Sequence, residues 1–351
     1  MKYTRELLKD VEGYVPGEQP KIPGIIKLNT NENPYPPSPK VMEALRALSP
    51  DALRKYPDPL SVNFRRAYAE RFGYPGPEWV LAGNGMDELL ALAIRTFVNP
   101  GDAVLASYPT YSLYEVLCQL HGCRIVYVDL DDNFQLPESF FSTPARMCLL
   151  TRPNAPSGVS APREAVERLC REFDGIVVID EAYVDFGGDN CMDFPKRFEN
   201  AIVMRTFSKS FSLAGMRLGT AVAQPAIINE FMKTKDSYNL DACSQAAALA
   251  AIQDYDYMES NVAKVRATRA RLRAELQQLG FDVPESQSNF LLARWNGAPP
   301  AKEIFETLRT QNILVRYFNL RGLQNALRIT VGTNAECDAL LEALNVILKR
   351  N

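Results

Sequence analysis

Short apolar runs recur along the first two thirds of the chain. Residues 79–83 (WVLAG), 103–107 (AVLAS), 124–130 (RIVYVDL), 146–151 (RMCLLT), 175–179 (GIVVI), 201–206 (AIVMRT) and 219–223 (GTAVA) are apolar at most positions. A strand with one wet face alternates polar and apolar residues, whereas a strand apolar throughout is covered on both faces. Between some of these runs, residues 86–98 (MDELLALAIRTFV), 110–120 (TYSLYEVLCQL) and 161–173 (APREAVERLCREF) carry their apolar positions at helical spacing. The pattern predicts an α/β fold. Its large domain, residues 38–255, has a mainly parallel sheet covered by helices on both faces. Ser38-Pro39 marks the start, as N-cap and first helical residue ahead of residues 41–48 (VMEALRAL).

After residue 224 the pattern becomes helical to about residue 280, including residues 261–280 (NVAKVRATRARLRAELQQLG). A second alternation follows: a strand at 289–295, a helix at 301–312, strands at 313–318 and 326–332, and a final helix at 336–350. This predicts a smaller α/β domain, residues 256–351. Residues 1–37, rich in Pro, Gly and Asn, join it as an arm that wraps another part of the fold.

Composition narrows the function. The chain has 351 residues, 46% hydrophobic and 23% charged, with a formal net charge of -3. That is ordinary globular composition, without the basic excess of a nucleic-acid binder. No apolar stretch approaches a membrane span, and the N-terminus lacks the apolar core of a secretory signal. The expectation is no nucleic-acid partner and no membrane partner. The seven cysteines include no C-x-x-C pair, which reads as reduced, mostly buried thiols and a cytoplasmic location. The single histidine, His121, precedes Gly122 and reads as a structural helix-end residue. Acid–base work then falls to Lys, Asp, Glu or Tyr, with no metal site.

In an open α/β sheet, ligands bind outside the carboxyl ends of the strands. The first run is followed by GNGMDE, a glycine turn opening a helix at Gly85 and Met86, where backbone N–H groups can hold a phosphate. Plain turn chemistry would explain that segment equally well. The second run is followed by YPTY with Tyr111, and the fourth by RPNAPSG. The fifth is followed by DEAY with Asp180 and Tyr183, and the sixth by FSKS with Lys209. There is no G-x-x-x-x-G-K-[ST] and no G-x-G-x-x-G, so neither a P-loop nor the dinucleotide fingerprint is supported. An anion cradle, a ring platform, a carboxylate, a phenol and a lysine on one sheet edge match the parts of pyridoxal phosphate. Lysine forms a Schiff base with its aldehyde, and a buried carboxylate keeps its ring nitrogen protonated.

With these residues the chain resembles the fold-type I, class II pyridoxal-phosphate aminotransferases, and within them the histidinol-phosphate branch. The resemblance rests on YVPGEQP, LNTNENPYPPSP, KYPDP, GNGMDE, YPTYSLY, PNAPSG, VIDEAYVDF, RTFSKSFSLAGMRLG, NFLL, ILVRYF and LRITVGT. It implies that Lys209 binds the cofactor covalently and shuttles the proton, that Asp180 pairs with the ring nitrogen and Tyr183 with the phenolic oxygen, and that Tyr111 stacks on the ring. Gly85, Met86, Ser208 and Arg217 then hold the cofactor's phosphate, joined by Tyr56 from the partner subunit of a homodimer. Arg316 and Arg328 bind the substrate phosphate and Tyr14 closes over it. The implied reaction transfers the amine of L-histidinol phosphate to 2-oxoglutarate, giving imidazole acetol phosphate and glutamate, a step of histidine biosynthesis. An aromatic amino-acid aminotransferase or a threonine-phosphate decarboxylase on the same fold are the enzymatic alternatives; a non-catalytic cofactor-binding regulator is the other.

There is one departure from the family pattern. The loop that usually reads P-N-N-P-[TS]-G has Ala155 in place of the second Asn, the residue that donates to the cofactor's phenolic oxygen. Asn154 is present but is the outward neighbour, so its place among the cofactor ligands is the weakest of the set. Tyr183 alone, a water or a shifted side chain must hold that oxygen.

Overall fold

The computed structural model describes residues 3–9 and 11–349. A short strand β1 (Ile26–Lys27) precedes the large domain. Seven strands then form one sheet: β2 (Val80–Asn84), β3 (Ala103–Tyr108), β4 (Arg124–Asp129), β5 (Met147–Thr151), β6 (Ile176–Asp180), β7 (Ala201–Thr206) and β8 (Leu218–Val222). Their order is β2-β8-β7-β6-β5-β3-β4. All pairings are parallel except those of β8, which runs antiparallel to both β7 and β2. The reversal has a simple cause. No crossover helix lies between Thr206 and Leu218, only the turn at Ala214–Met216, and without a crossover the chain re-enters the sheet in the opposite direction.

Both faces of the sheet are covered, as uninterrupted apolar runs require. Val104, Leu149, Val178, Ile202 and Met204 pack with Leu89, Leu90, Ala93 and Phe231 on one side. Leu105, Cys148, Leu150, Val177, Ile179 and Val203 pack with Phe64, Tyr68, Val166 and Leu169 on the other. Each Val, Leu, Ile, Met or Phe among them contributes about 1.5–3 kcal/mol on burial. The helix Pro39–Arg46 starts at Ser38, whose hydroxyl accepts from the Lys40 amide. His121 ends the helix Leu113–His121, its Nδ1 2.9 Å from the Leu117 carbonyl oxygen, with Gly122 in the left-handed conformation beyond it. All seven cysteines are free, and only Cys243 is not fully buried. No helix among the described residues is long and apolar enough to cross a membrane.

A second core gathers Leu272, Leu276, Leu291, Ile304, Leu308, Leu327, Ile329, Leu340 and Leu344. Its strands are β9 (Phe290–Arg294), β10 (Ile313–Leu314), β11 (Arg316–Tyr317) and β12 (Ala326–Thr330). The run at 313–318, expected to be one strand, is divided at the buried Val315. β10 pairs parallel with β1, and β11 pairs antiparallel with β12. One helix, Tyr255–Gln278, serves both cores, with Met258, Val262 and Val265 in the first and Leu272 and Leu276 in the second.

Candidate active site

The carboxyl ends of β2, β3, β5, β6 and β7 lie on one edge of the large sheet, and the amino end of the reversed β8 joins them. That reversal brings Arg217, the residue before β8, beside Gly85. A Cβ added to Gly85 would stand 2.6 Å from an Arg217 guanidinium nitrogen, and Gly85 has φ +84, so glycine is required twice over. Gly219 admits the same close approach from the β8 side, since its Cβ would lie 2.7 Å from the Met86 nitrogen. The helix Met86–Phe97 therefore begins against the sheet edge, where its first N–H groups lack helical partners. Arg217 reaches the Ser208 hydroxyl at 3.4 Å and the Asp87 carboxylate at 3.2 Å.

This edge opens into a cavity of about 340 Å³ whose walls include Met86, Tyr111, Asp180, Tyr183, Ser208, Lys209 and Arg217. The second domain supplies Arg316, Phe318 and Arg328, and the arm supplies Tyr14 and residues 29–32. The Lys209 amine donates to the Thr30 carbonyl at 3.3 Å. Burial, with Arg328 and Arg217 nearby, lowers Lys209 from 10.5 to about 8, against the opposing pull of Glu32 and Asp87. An amine so placed gives up its proton from about pH 8, well below an ordinary lysine, and its neutral form can act as nucleophile or base.

The folded protein gives up the Lys209 proton earlier than the unfolded chain does. Stability of the cofactor-free protein therefore rises as pH climbs from about 8 towards 10.5. Lys209→Met removes this dependence. Its melting temperature should exceed the wild type's at about pH 8, and the gap should close towards pH 10.5. A gap that does not change with pH would mean that Lys209 titrates normally.

Asp180 ends β6 and is 1% exposed. Its Oδ2 accepts from the Tyr114 hydroxyl at 2.5 Å and its Oδ1 from the Ala182 amide at 3.0 Å. Burial pushes it up from 3.8 to about 6, with those two donors pulling the other way. It remains ionised above neutrality, facing the cavity in a dry setting. Tyr183 is held by the Asn31 amide, 3.0 Å from its Oη, and by the edge of Phe290, ring centroids 5.0 Å apart. Burial raises its hydroxyl, which keeps it protonated.

Arg316 and Arg328 face each other across the β11–β12 pair. Two like charges in that relation repel unless an anion joins them. Among the described residues neither meets a carboxylate: Arg316 donates to the Val15 carbonyl at 3.4 Å and Arg328 to the Asn29 carbonyl at 3.1 Å. The Arg328 Nε is buried without a partner. Burial lowers Arg328, so the site is poised to gain from an anion.

Residues 23–344 match the model of the family described as aminotransferase class I and II. A histidinol-phosphate aminotransferase of Microcystis aeruginosa is 43% identical over 351 residues, 99% of each chain. The chain belongs to the histidinol-phosphate aminotransferase family. Another member, from Rhodopirellula baltica, is 44% identical over 97% of this chain and 94% of its own. The crystal structure of histidinol-phosphate aminotransferase from Sinorhizobium meliloti in complex with pyridoxal-5'-phosphate superposes with a TM-score of 0.86. It is 27% identical and covers 92% of this chain and 90% of its own.

Of the positions expected to serve this aminotransferase, the fold gathers Tyr14, Met86, Tyr111, Asp180, Tyr183, Ser208, Lys209, Arg217, Arg316 and Arg328 around one cavity, with Gly85 directly beneath Arg217. Asn154 is not among them. Its Nδ2 donates to the Pro109 carbonyl at 3.0 Å and its Oδ1 accepts from Ser157, so it braces the loop, while Ala155 lines the cavity. Tyr56 lies outside this chain's cavity, 81% exposed, its ring stacked on Tyr238 at 4.4 Å. Several contributors carried no separate signal in the sequence. Tyr114, three residues after Tyr111 and in the first turn of the helix Leu113–His121, bridges Asp180 to Thr151. Asn33 donates to the Lys209 and Ser210 carbonyls. The resemblance places only Tyr14 of the arm in the site; residues 29–32 join it there.

Proposed function

We infer that this protein is a pyridoxal-phosphate-dependent transaminase that moves the amine of L-histidinol phosphate to 2-oxoglutarate, in histidine biosynthesis. The observation that carries the reading is the facing pair Arg316 and Arg328, without carboxylate partners, opening onto the cavity that holds the lowered amine of Lys209. A substrate with an amine at one end and a phosphate at the other fits both. Arginine's planar fork suits a phosphate better than any other side chain does.

The residues present also fit the cofactor. A glycine-floored helix start with Ser208 and Arg217 suits a dianionic phosphate, a buried carboxylate suits a protonated ring nitrogen, and Tyr111 offers a flat face. When bound, pyridoxal phosphate supplies an electron sink for the carbon that loses its proton. The chain's own groups do the rest. Lys209 would anchor the cofactor; freed by the substrate amine, its own amine takes the proton from the amine-bearing carbon and returns it to the carbon on the other side of the nitrogen, two bonds away. Asp180 would hold the ring nitrogen's proton through a charge-assisted bond, while Tyr114 keeps that carboxylate aimed. Arg316 and Arg328 seize the substrate phosphate, and Tyr14, edge-on to Tyr111 at 5.7 Å, closes the entrance against water.

Visible spectra of the loaded enzyme test the reading. The band should change on addition of histidinol phosphate and return with 2-oxoglutarate. Arg328→Leu should need about 10- to 100-fold more histidinol phosphate for the same change. Equal or greater response to phenylalanine, or decarboxylation of threonine phosphate, would replace this substrate with a rival.

The same reading makes the enzyme a homodimer in which Tyr56 reaches the partner subunit's cofactor phosphate. The exposed Tyr56–Tyr238 stack, with Leu53 and Leu60 also exposed, supports a partner-facing surface. Mixing Lys209→Ala with Tyr56→Ala subunits should restore activity, because one site of each mixed pair regains both residues. No recovery from verified mixed pairs would mean that Tyr56 does not cross.

A further inference from the structure

Asn31 belongs to the arm, yet its side chain ends on the large domain. It is 1% exposed and has φ +56, a left-handed conformation that asparagine tolerates. The small domain grips it from three directions. Its amide N–H donates to the Thr330 hydroxyl at 2.9 Å, the Thr330 hydroxyl lies 3.1 Å from its Oδ1, and its carbonyl accepts from the Asn289 amide at 2.9 Å. Its Nδ2 lies 3.0 Å from the Tyr183 Oη.

The proton directions in this chain are determined. Thr330 is 3% exposed, and its oxygen receives the Asn31 backbone N–H, so its own proton needs an acceptor. Among the described residues the only one within reach is the Asn31 Oδ1. A flipped amide would leave that proton stranded. The Asn31 Nδ2 therefore faces Tyr183 as a donor, and the Tyr183 oxygen must accept. Its own hydroxyl proton then has no direction left but the cavity, where the Ala155 side chain offers no donor.

We propose that Asn31 is a positioning residue that commits the Tyr183 hydroxyl to donate into the cavity, onto the cofactor's phenolic oxygen, at the wall where Ala155 contributes nothing. An oxygen that accepts one hydrogen bond donates the next more strongly, so Asn31 acts through Tyr183. Because Asn31 is fixed by Thr330 and Asn289, the phenol's direction is set from the second domain, while its backbone belongs to the first. The charged groups that also act on Tyr183 are Arg328, Asp180, Asp87 and Lys209, whose amine lies 5.8 Å from the ring centroid.

The inference rests on the cofactor assignment above, and its test separates the two. Loaded wild-type protein is titrated by visible absorbance; a colourless wild type would defeat the cofactor assignment rather than the role of Asn31. With one fewer donor directed at the phenolic oxygen, the neighbouring proton is held more tightly. Asn31→Ala should therefore move the midpoint upward by about half to one pH unit. In a Tyr183→Phe background the same substitution should move it by less than about 0.2 units, because the path through the hydroxyl is gone. Asn31→Asp is the second variant, since it keeps the shape and the left-handed backbone but accepts from Tyr183. Its upward shift should exceed the shift left in Tyr183→Phe by about half a unit or more. An unchanged midpoint in both variants, or shifts that persist in full without the Tyr183 hydroxyl, overturns the proposal.

Discussion

Lys209→Ala should reduce transamination by about four orders of magnitude or more. The substitution removes the covalent anchor and the base together, and general-base catalysis alone is worth up to about 10⁴-fold. The protein should still fold. Lys209 makes one side-chain hydrogen bond, to the Thr30 carbonyl at 3.3 Å, and its burial opposes its own charge. Single-turnover absorbance with preloaded cofactor is the decisive measurement, since it isolates the proton step from cofactor affinity. Added small primary amines should recover part of the rate, because the alanine leaves room where the amine stood. Residual turnover within about tenfold of wild type would move the base to another residue.

Asp180→Asn should have opposite effects on activity and on stability. In the loaded enzyme the neutral amide no longer holds a proton on the ring nitrogen, and turnover should fall by about 10²- to 10³-fold, the usual cost of removing one preorganised charge contact. In the cofactor-free protein the same change removes a carboxylate that burial has raised from 3.8 to about 6. The sign follows from proton counts. Between those two values the folded state holds a proton that the unfolded chain has released, so the wild type loses stability as pH rises through the window and stays penalised above it. The amide carries no such penalty, and its oxygen can still accept from Tyr114. At pH 7 the cofactor-free variant should gain up to about 3 kcal/mol, seen as a rise of a few degrees in melting temperature. The gain should vanish as pH falls below about 4. A destabilised variant at neutral pH would show that the Tyr114 bond outweighs the burial of charge.

The elements themselves were legible because the signal is local. A strand such as Ile176–Asp180 is apolar at every position before its last, and the rule that ligands gather at strand carboxyl ends then singles out Asp180, Lys209 and Tyr111 without coordinates. The turn at Gly85 was ambiguous in sequence, because glycine there serves a plain turn equally well. Only the 2.6 Å approach of Arg217 shows that it also makes room for a cation. At the loop 152–158 the sequence already set Asn154 apart as the outward neighbour, and the fold uses its amide on Pro109 and Ser157.

Periodicity and composition thus determined the two-part α/β plan, the expected carboxyl edge and the lysine, carboxylate and phenol placed along it, since each follows from residues near one another in the chain. Tertiary structure decided what depends on distant segments meeting. It reversed β8, which delivers Arg217 to the opposite edge from the one a parallel strand would use. It set Arg316 across from Arg328 by a register that no local pattern encodes. It threaded Asn31 between domains to Tyr183, 152 positions away, and bonded Tyr114 to Asp180. Side-chain type limits what a residue can do, but the hydrogen-bond partners left open after folding determine which of those things it does.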